Sequence, residues 1–165
     1  MLEGAAMEPE KIAKLLLDRG ADIEARDQNG QTPLITAAAY GDTGTAELLL
    51  GRGAQIEGRD NEGNTALLRA ACDCAAATMP DTDEVIELLL DRGANVNVQN
   101  RQGETPLIIA SDGVIVKTRI VKLLLEKGAD ARIKDSRGET AVMIAKKCGV
   151  PDVVPLLERW KPKPR

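Results

Sequence analysis

Apolar positions along this chain come in short bursts, separated by polar stretches rich in Asp, Asn and Gly. Ile12, Leu15 and Leu16, and again Val85, Ile86 and Leu89, recur at helical spacing. With a run of three Leu in each block, the apolar stripe is too wide for one partner, so these helices are expected to be covered by neighbours on both sides. The blocks KLLLDRGAD (14–22), ELLLGRGAQ (47–55), ELLLDRGAN (87–95) and KLLLEKGAD (122–130) align without gaps. Each reaches a glycine (Gly20, Gly53, Gly93, Gly128), where a residue at positive φ closes a helix most easily.

A second kind of burst starts at Thr32, Thr65, Thr105 and Thr140, each suited to cap a helix, with Pro33 and Pro106 at the first helical position, where a missing N–H costs nothing. Asp27, Asp60, Asn100 and Asp135 stand three residues before Gly30, Gly63, Gly103 and Gly138, the order of a type I turn, and predict hairpin tips. The unit is therefore turn, helix, helix. TPL at Thr32 to Leu34 returns as TAL, TPL and TAV at intervals of 33, 40 and 35 residues. Motif, order and a period near 33 resemble the ankyrin repeat, whose signature runs T-P-L-H-x-A.

The resemblance covers nearly the whole chain and implies an all-α repeat solenoid, an ankyrin-like stack of antiparallel helix pairs with β-hairpin or turn tips. It divides residues 1–160 into repeats 1–26, 27–59, 60–99, 100–134 and 135–160 of a single domain, followed by a basic, proline-containing tail at 161–165. The first and last repeats are expected to be caps with polar outer faces. Pro155 falls inside the last helix by alignment, so that helix should be short or bent.

Departures from the repeat are informative. The third unit carries seven extra residues in the stretch 72–85 and the fourth two around 111–119, both between the two helices of the unit. The longer insertion either projects as a specificity element or extends the first helix, since Ala75 to Ala77 favour helix and Pro80 stops it. The His of the family motif is replaced by Ile35, Leu68, Ile108 and Met143, and the chain has no His at all. Apolar packing is expected to replace the polar cross-links that His would make.

Composition narrows the chemistry. With no Phe, and only Tyr40 and Trp160 as aromatics, the core must be aliphatic. Absence of His removes the commonest general base and excludes Ser-His and Cys-His pairs. The acidic residues Asp73, Asp81, Asp83 and Glu84 read as solvated loop charge, so no enzyme is expected. Cys72, Cys74 and Cys148 fall short of a four-ligand structural zinc site and are expected to be reduced thiols, with no metal and no cofactor. No apolar run reaches the length of a membrane span and no secretory signal opens the chain, so neither a membrane nor export is implied, and the cytoplasm is the expected compartment. The net charge is −4, and setting aside the C-terminal Arg159, Lys161, Lys163 and Arg165 leaves 18 basic against 26 acidic residues. Nucleic acid is a poor partner for such a chain.

What remains is recognition of a protein or peptide by a monomer. The resemblance places partners on a concave surface of hairpin tips and first helices. Its variable positions are Arg26, Gln28, Asn29, Gln31 and Tyr40 in one repeat, then Arg59, Asn61, Glu62, Asn64 and Asp73 in the next. The following two repeats supply Gln99, Arg101, Gln102, Glu104 and Asp112, then Lys134, Ser136, Arg137 and Glu139. Tyr40, Arg59 and Arg101 lead, because Tyr and Arg are enriched at hot spots. The column Arg26, Arg59, Gln99, Lys134 reads either as a basic ladder for an acidic segment or as residues balancing the neighbouring turn Asp. The alternative function is a structural or regulatory subunit that touches a neighbouring enzyme through the 72–85 insertion.

Overall fold

The computed structural model describes residues 8–72, 82–112 and 118–160. Nine helices stand among them: α1 (Pro9–Asp18), α2 (Pro33–Ala39), α3 (Thr43–Gly51), α4 (Ala66–Ala71), α5 (Thr82–Asp91), α6 (Pro106–Ser111), α7 (Thr118–Glu126), α8 (Ala141–Lys147) and α9 (Val154–Arg159). The helices pair as α2 with α3, α4 with α5, α6 with α7 and α8 with α9. The pairs stack into two rows. One row runs α2, α4, α6, α8, and the other runs α1, α3, α5, α7.

Local chemistry sets the helix ends where the sequence places them. The hydroxyls of Thr32, Thr65 and Thr105 accept the N–H of Ile35, Leu68 and Ile108 at 3.4, 3.5 and 3.2 Å. Thr140 has the same extended backbone but makes no such bond. The three capping threonines are 1% exposed, whereas Thr140, in the last pair, is only half-buried. At the other end of the long helices, Gly53, Gly93 and Gly128 take φ of +90, +92 and +94°. The N–H of the following Ala54, Ala94 and Ala129 then reaches back to the carbonyls of Leu49, Leu89 and Leu124 at 2.9–3.0 Å, a Schellman closure.

Each tip is a type I turn closed by glycine at positive φ. Gly30, Gly63, Gly103 and Gly138 donate to the carbonyls of Asp27, Asp60, Asn100 and Asp135 at 2.9–3.0 Å. The N–H of each of those four residues returns to the carbonyl four places on, as in Asp27 to Gln31 at 3.1 Å. This is the hydrogen bonding of a three-residue hairpin loop, but the flanks are too short to pair further, and no strand occurs among the described residues.

The core is aliphatic and lies between the two rows. Leu49, Leu89 and Leu124 are at most 1% exposed, and each contributes about 1.5–3 kcal/mol by leaving water. Leu16 occupies the same place in its block and is 54% exposed, with Ile12 and Leu15 also in solvent. The expected polar outer face of the first unit is thus not what α1 presents. The same letter stabilises the fold only where a neighbour covers it.

The apolar substitutes for His behave unequally. Ile35, Leu68 and Ile108 are buried, while Met143, in the last pair, is 49% exposed. The longer insertion does not extend the first helix: α4 ends at Ala71, and Cys72 is already in extended backbone. Residues 73–81 and 113–117, which hold most of both insertions, lie outside the described residues. Pro155 acts as anticipated, since α9 starts late, takes Pro155 into its first turn and runs six residues.

A second set of links crosses between units on the side of the long helices. The carboxylates of Glu24 and Glu57 and the amide oxygen of Asn97 accept the N–H of Gln55, Asn95 and Asp130, each at 2.8 Å. In each of the first three units one side chain therefore satisfies a loop N–H of the next unit. These residues follow the Gly-Ala closures at matching positions.

Candidate functional site

The tips are built by the turn residues themselves. Asp60 Oδ1 accepts the N–H of Glu62 and of Asn64, both at 2.8 Å, and Asp27, Asn100 and Asp135 hold their tips by the same pair of bonds. Consecutive tips are joined backbone to backbone. Asn61, Arg101 and Ser136 donate their N–H to the carbonyls of Asn29, Glu62 and Gln102 at 2.9, 3.1 and 2.8 Å. Side chains from four units are thereby set side by side.

The column read as a basic ladder has a different occupation. Arg26 Nη1 donates to the carbonyl of Gly30 in its own tip and of Arg59 in the next unit, at 3.1 and 2.6 Å. Arg59 Nη1 does the same to Gly63 and Gln99 at 2.9 and 2.8 Å, and Gln99 Nε2 to Gly103 and Lys134 at 2.6 and 3.3 Å. These side chains neither balance the adjacent Asp nor stand in an unbonded row. They bond successive units together, so polar cross-links between units persist without His, beside the apolar packing of Ile35, Leu68 and Ile108.

Inside the tips runs a continuous polar network. Asn64, expected on the binding surface, is 6% exposed, and its Nδ2 donates to Asp60 and to Glu62 Oε2. Asn100 Nδ2 donates to Asn64 Oδ1 at 3.1 Å and to Glu104 Oε2 at 2.9 Å. Arg69, from α4, reaches back to Asp60 Oδ2 through Nε at 2.8 Å and Nη2 at 2.6 Å, and to Glu62 Oε2 at 3.0 Å. In the last tip Arg137 pairs with Asp135 at 3.0 Å and Glu139 at 3.4 Å, and Lys147 also pairs with Glu139.

Two carboxyls in this network are perturbed. Burial pushes Asp60 up, but the N–H of Asn64, the Arg69 side chain and the N–H of Glu62 outweigh it and hold Asp60 below the ordinary 3.8. Asp135 is depressed in the same way, burial being outweighed by the Glu139 N–H and by Arg137.

A cleft of about 540 Å³ opens between α4 and α6. Leu68, Ile108 and Ile109 line it with hydrocarbon, while Glu62, Glu104 and Asp112 line it with carboxylates. A second cavity, of about 610 Å³, lies against α2 and is lined by Arg26, Gln31 and Tyr40 with apolar residues around them. The expected surface residues thus divide. Glu62, Asn64, Gln102, Glu104 and Asp112 meet around the first cavity, and Arg26, Gln31 and Tyr40 around the second.

Gln28, Asn29, Asn61, Arg101, Lys134, Ser136 and Arg137 are exposed at the tips, Glu139 is half-buried, and Asp73 lies outside the described residues. Sequence reasoning passed over Arg69 and Ile109. Both occupy the variable x of the T-P-L-H-x-A motif, and that position is the signal that could have found them.

One cysteine departs from the expected reduced thiol. Cys72 is half of a disulfide, not a reduced thiol, and its other half is not among the described residues. Cys148 is exposed, and its Sγ donates to Asp112 Oδ1 at 3.2 Å. No helix among the described residues is long and apolar enough to cross a membrane.

Helix pairs stacked in two rows, each entered through a bonded turn and tied to the next at its tip, define a repeat solenoid. The chain belongs to the ankyrin-repeat family, matching the family described as ankyrin repeats (3 copies) over residues 2–77 and 74–161. No significant match was found among curated proteins. Ankyrin repeats are in general protein-interaction modules and typically carry no catalysis.

Proposed function

We propose that this chain is a non-enzymatic protein-binding module, a monomer of the cytoplasm without metal or cofactor, that takes a protein or peptide partner across its hairpin tips and first helices. The observation that carries this reading is convergence. Side chains from two neighbouring tips and two first helices surround one cleft of about 540 Å³, lined mostly by polar and charged residues held at defined positions around a few aliphatic side chains. Such a cavity suits a polar or charged anchoring side chain of a partner. Tyr40, 58% exposed beside the second cavity, and Arg101, exposed at its tip, extend the surface to either side.

The test is a pull-down from the native host with three baits: the unaltered chain, the pair Tyr40→Ala and Arg101→Ala, and a form with the 73–81 stretch shortened. A partner kept by the shortened form and lost by the double variant is the expected result. Loss on shortening alone would transfer binding to the insertion and favour the role of a subunit contacting a neighbouring enzyme.

A further inference from the structure

The cleft between α4 and α6 combines two chemistries that one kind of side chain satisfies together. Its hydrocarbon lining comes from Leu68, Ile108 and Ile109. Its carboxylates are Glu62, Glu104 and Asp112, and among the described residues its only basic lining residue is Arg69, already engaged by Asp60 and Glu62. Glu104 accepts from the neutral amide of Asn100 and Asp112 from the neutral thiol of Cys148, so neither charge is cancelled by those bonds. Arg137 comes no closer to Glu104 than 3.9 Å and lies nearer to Asp135 and Glu139.

Resting on the binding reading above, we infer that this cleft takes an arginine or lysine side chain of a basic partner segment. The aliphatic stem lies on Ile109, the one of the three that is not buried, above Leu68 and Ile108, while the charged head meets Glu104 and Asp112, the arrangement in which long basic side chains cover apolar surface and keep their charge paired. An acidic side chain would meet like charge at the rim. A neutral apolar one would fill the lining and strip water from carboxylates without replacing it.

The experiment is an amide NMR titration of the full chain at low salt with three short peptides, acetyl-GRGRG-amide and its Gln and Glu counterparts. The arginine peptide should shift the amides of Leu68, Ile108 and Ile109, and the other two should not. Glu104→Gln with Asp112→Asn should weaken the arginine peptide about tenfold, as expected for close charge pairs. Glu84→Gln with Glu87→Gln, which removes the same charge from α5 outside the cleft, should change it less than about twofold.

Urea unfolding of each variant checks that the fold is kept. Equal binding of all three peptides in the cleft would overturn the charge assignment and leave the surface reading intact. An arginine peptide that leaves Ile108 and Ile109 unshifted, or that responds equally to both double variants, would overturn the cleft assignment itself. The surface reading would then stand or fall on the Tyr40 and Arg101 baits.

Discussion

Asp60 and Asn100 hold the same place in successive turns, accept the same two backbone N–H groups, and differ in what a proton does to them. Asp60 is 5% exposed and carries a charge that only Arg69 and the N–H donors make tolerable. Because its folded value lies below 3.8, the group stabilises the fold fully above that value, and the contribution is lost as pH falls through the folded value. Urea midpoints measured from pH 6 to pH 3 should therefore converge for the unaltered chain and Asp60→Asn as pH drops below about 3.8. Some acid sensitivity should persist in the variant, since Asp135 shifts in the same direction. Arg69→Met should cost about 3 kcal/mol at neutral pH, because it leaves the buried carboxylate without its cation. The threonine caps give a second contrast: Thr105→Ala should cost about 1 kcal/mol and Thr140→Ala less than about 0.5, because only Thr105 makes the capping bond.

At the scale of the element, the helix ends were legible in the letters and the coverage of the helices was not. The Gly-Ala closures, the Thr caps and the Asp-to-Gly turns depend on atoms within about one turn of the chain, so residue type is enough to place them. The fate of Leu16 depends on what packs over it, and that is not written in a block that reads the same as its buried counterparts. The column Arg26, Arg59, Gln99 was visible in the sequence but its linking role was not, for the same reason, since the acceptors that join units are carbonyls 33–40 residues away. The cleft was half legible: its tip residues stood out as variable positions, while Arg69 and Ile109 entered it only once α4 and α6 were side by side. A prediction at this scale separates glycines by conformation. Gly93→Ala should destabilise by about 1–2 kcal/mol, since φ is +92° there. Gly51→Ala, at the helical end of α3 with open space around its Cβ position, should stabilise by about 0.5–1 kcal/mol. Thermal unfolding of the two single variants, shifting in opposite directions, checks both.

In the whole molecule, stability is carried by contacts between neighbouring units, so weakening one junction should loosen the stack there before it unfolds elsewhere. Arg59 is the place to test this, because its guanidinium, bonded to Gly63 in its own tip, also bonds Gln99 across the junction between the second and third tips. Arg59→Met keeps much of the aliphatic stem and removes the donor; the loss should be about 1–2 kcal/mol in urea unfolding. Hydrogen exchange gives the location. The Arg101 N–H, bonded across the same junction to Glu62, should exchange about tenfold faster in Arg59→Met, while the N–H of Asn61, bonded to Asn29 across the preceding junction, should change far less. Arg101→Ala serves as the control, since its exposed side chain has no comparable bond and its removal should stay within about 0.5 kcal/mol. The same geometry alters how binding to this column must be tested: reversing Arg26 and Arg59 to Glu would break two junctions as well as change charge, so loss of a partner in that variant would report on the scaffold. Only if Arg59→Met leaves both stability and exchange unchanged is the column free to be read as a ligand surface.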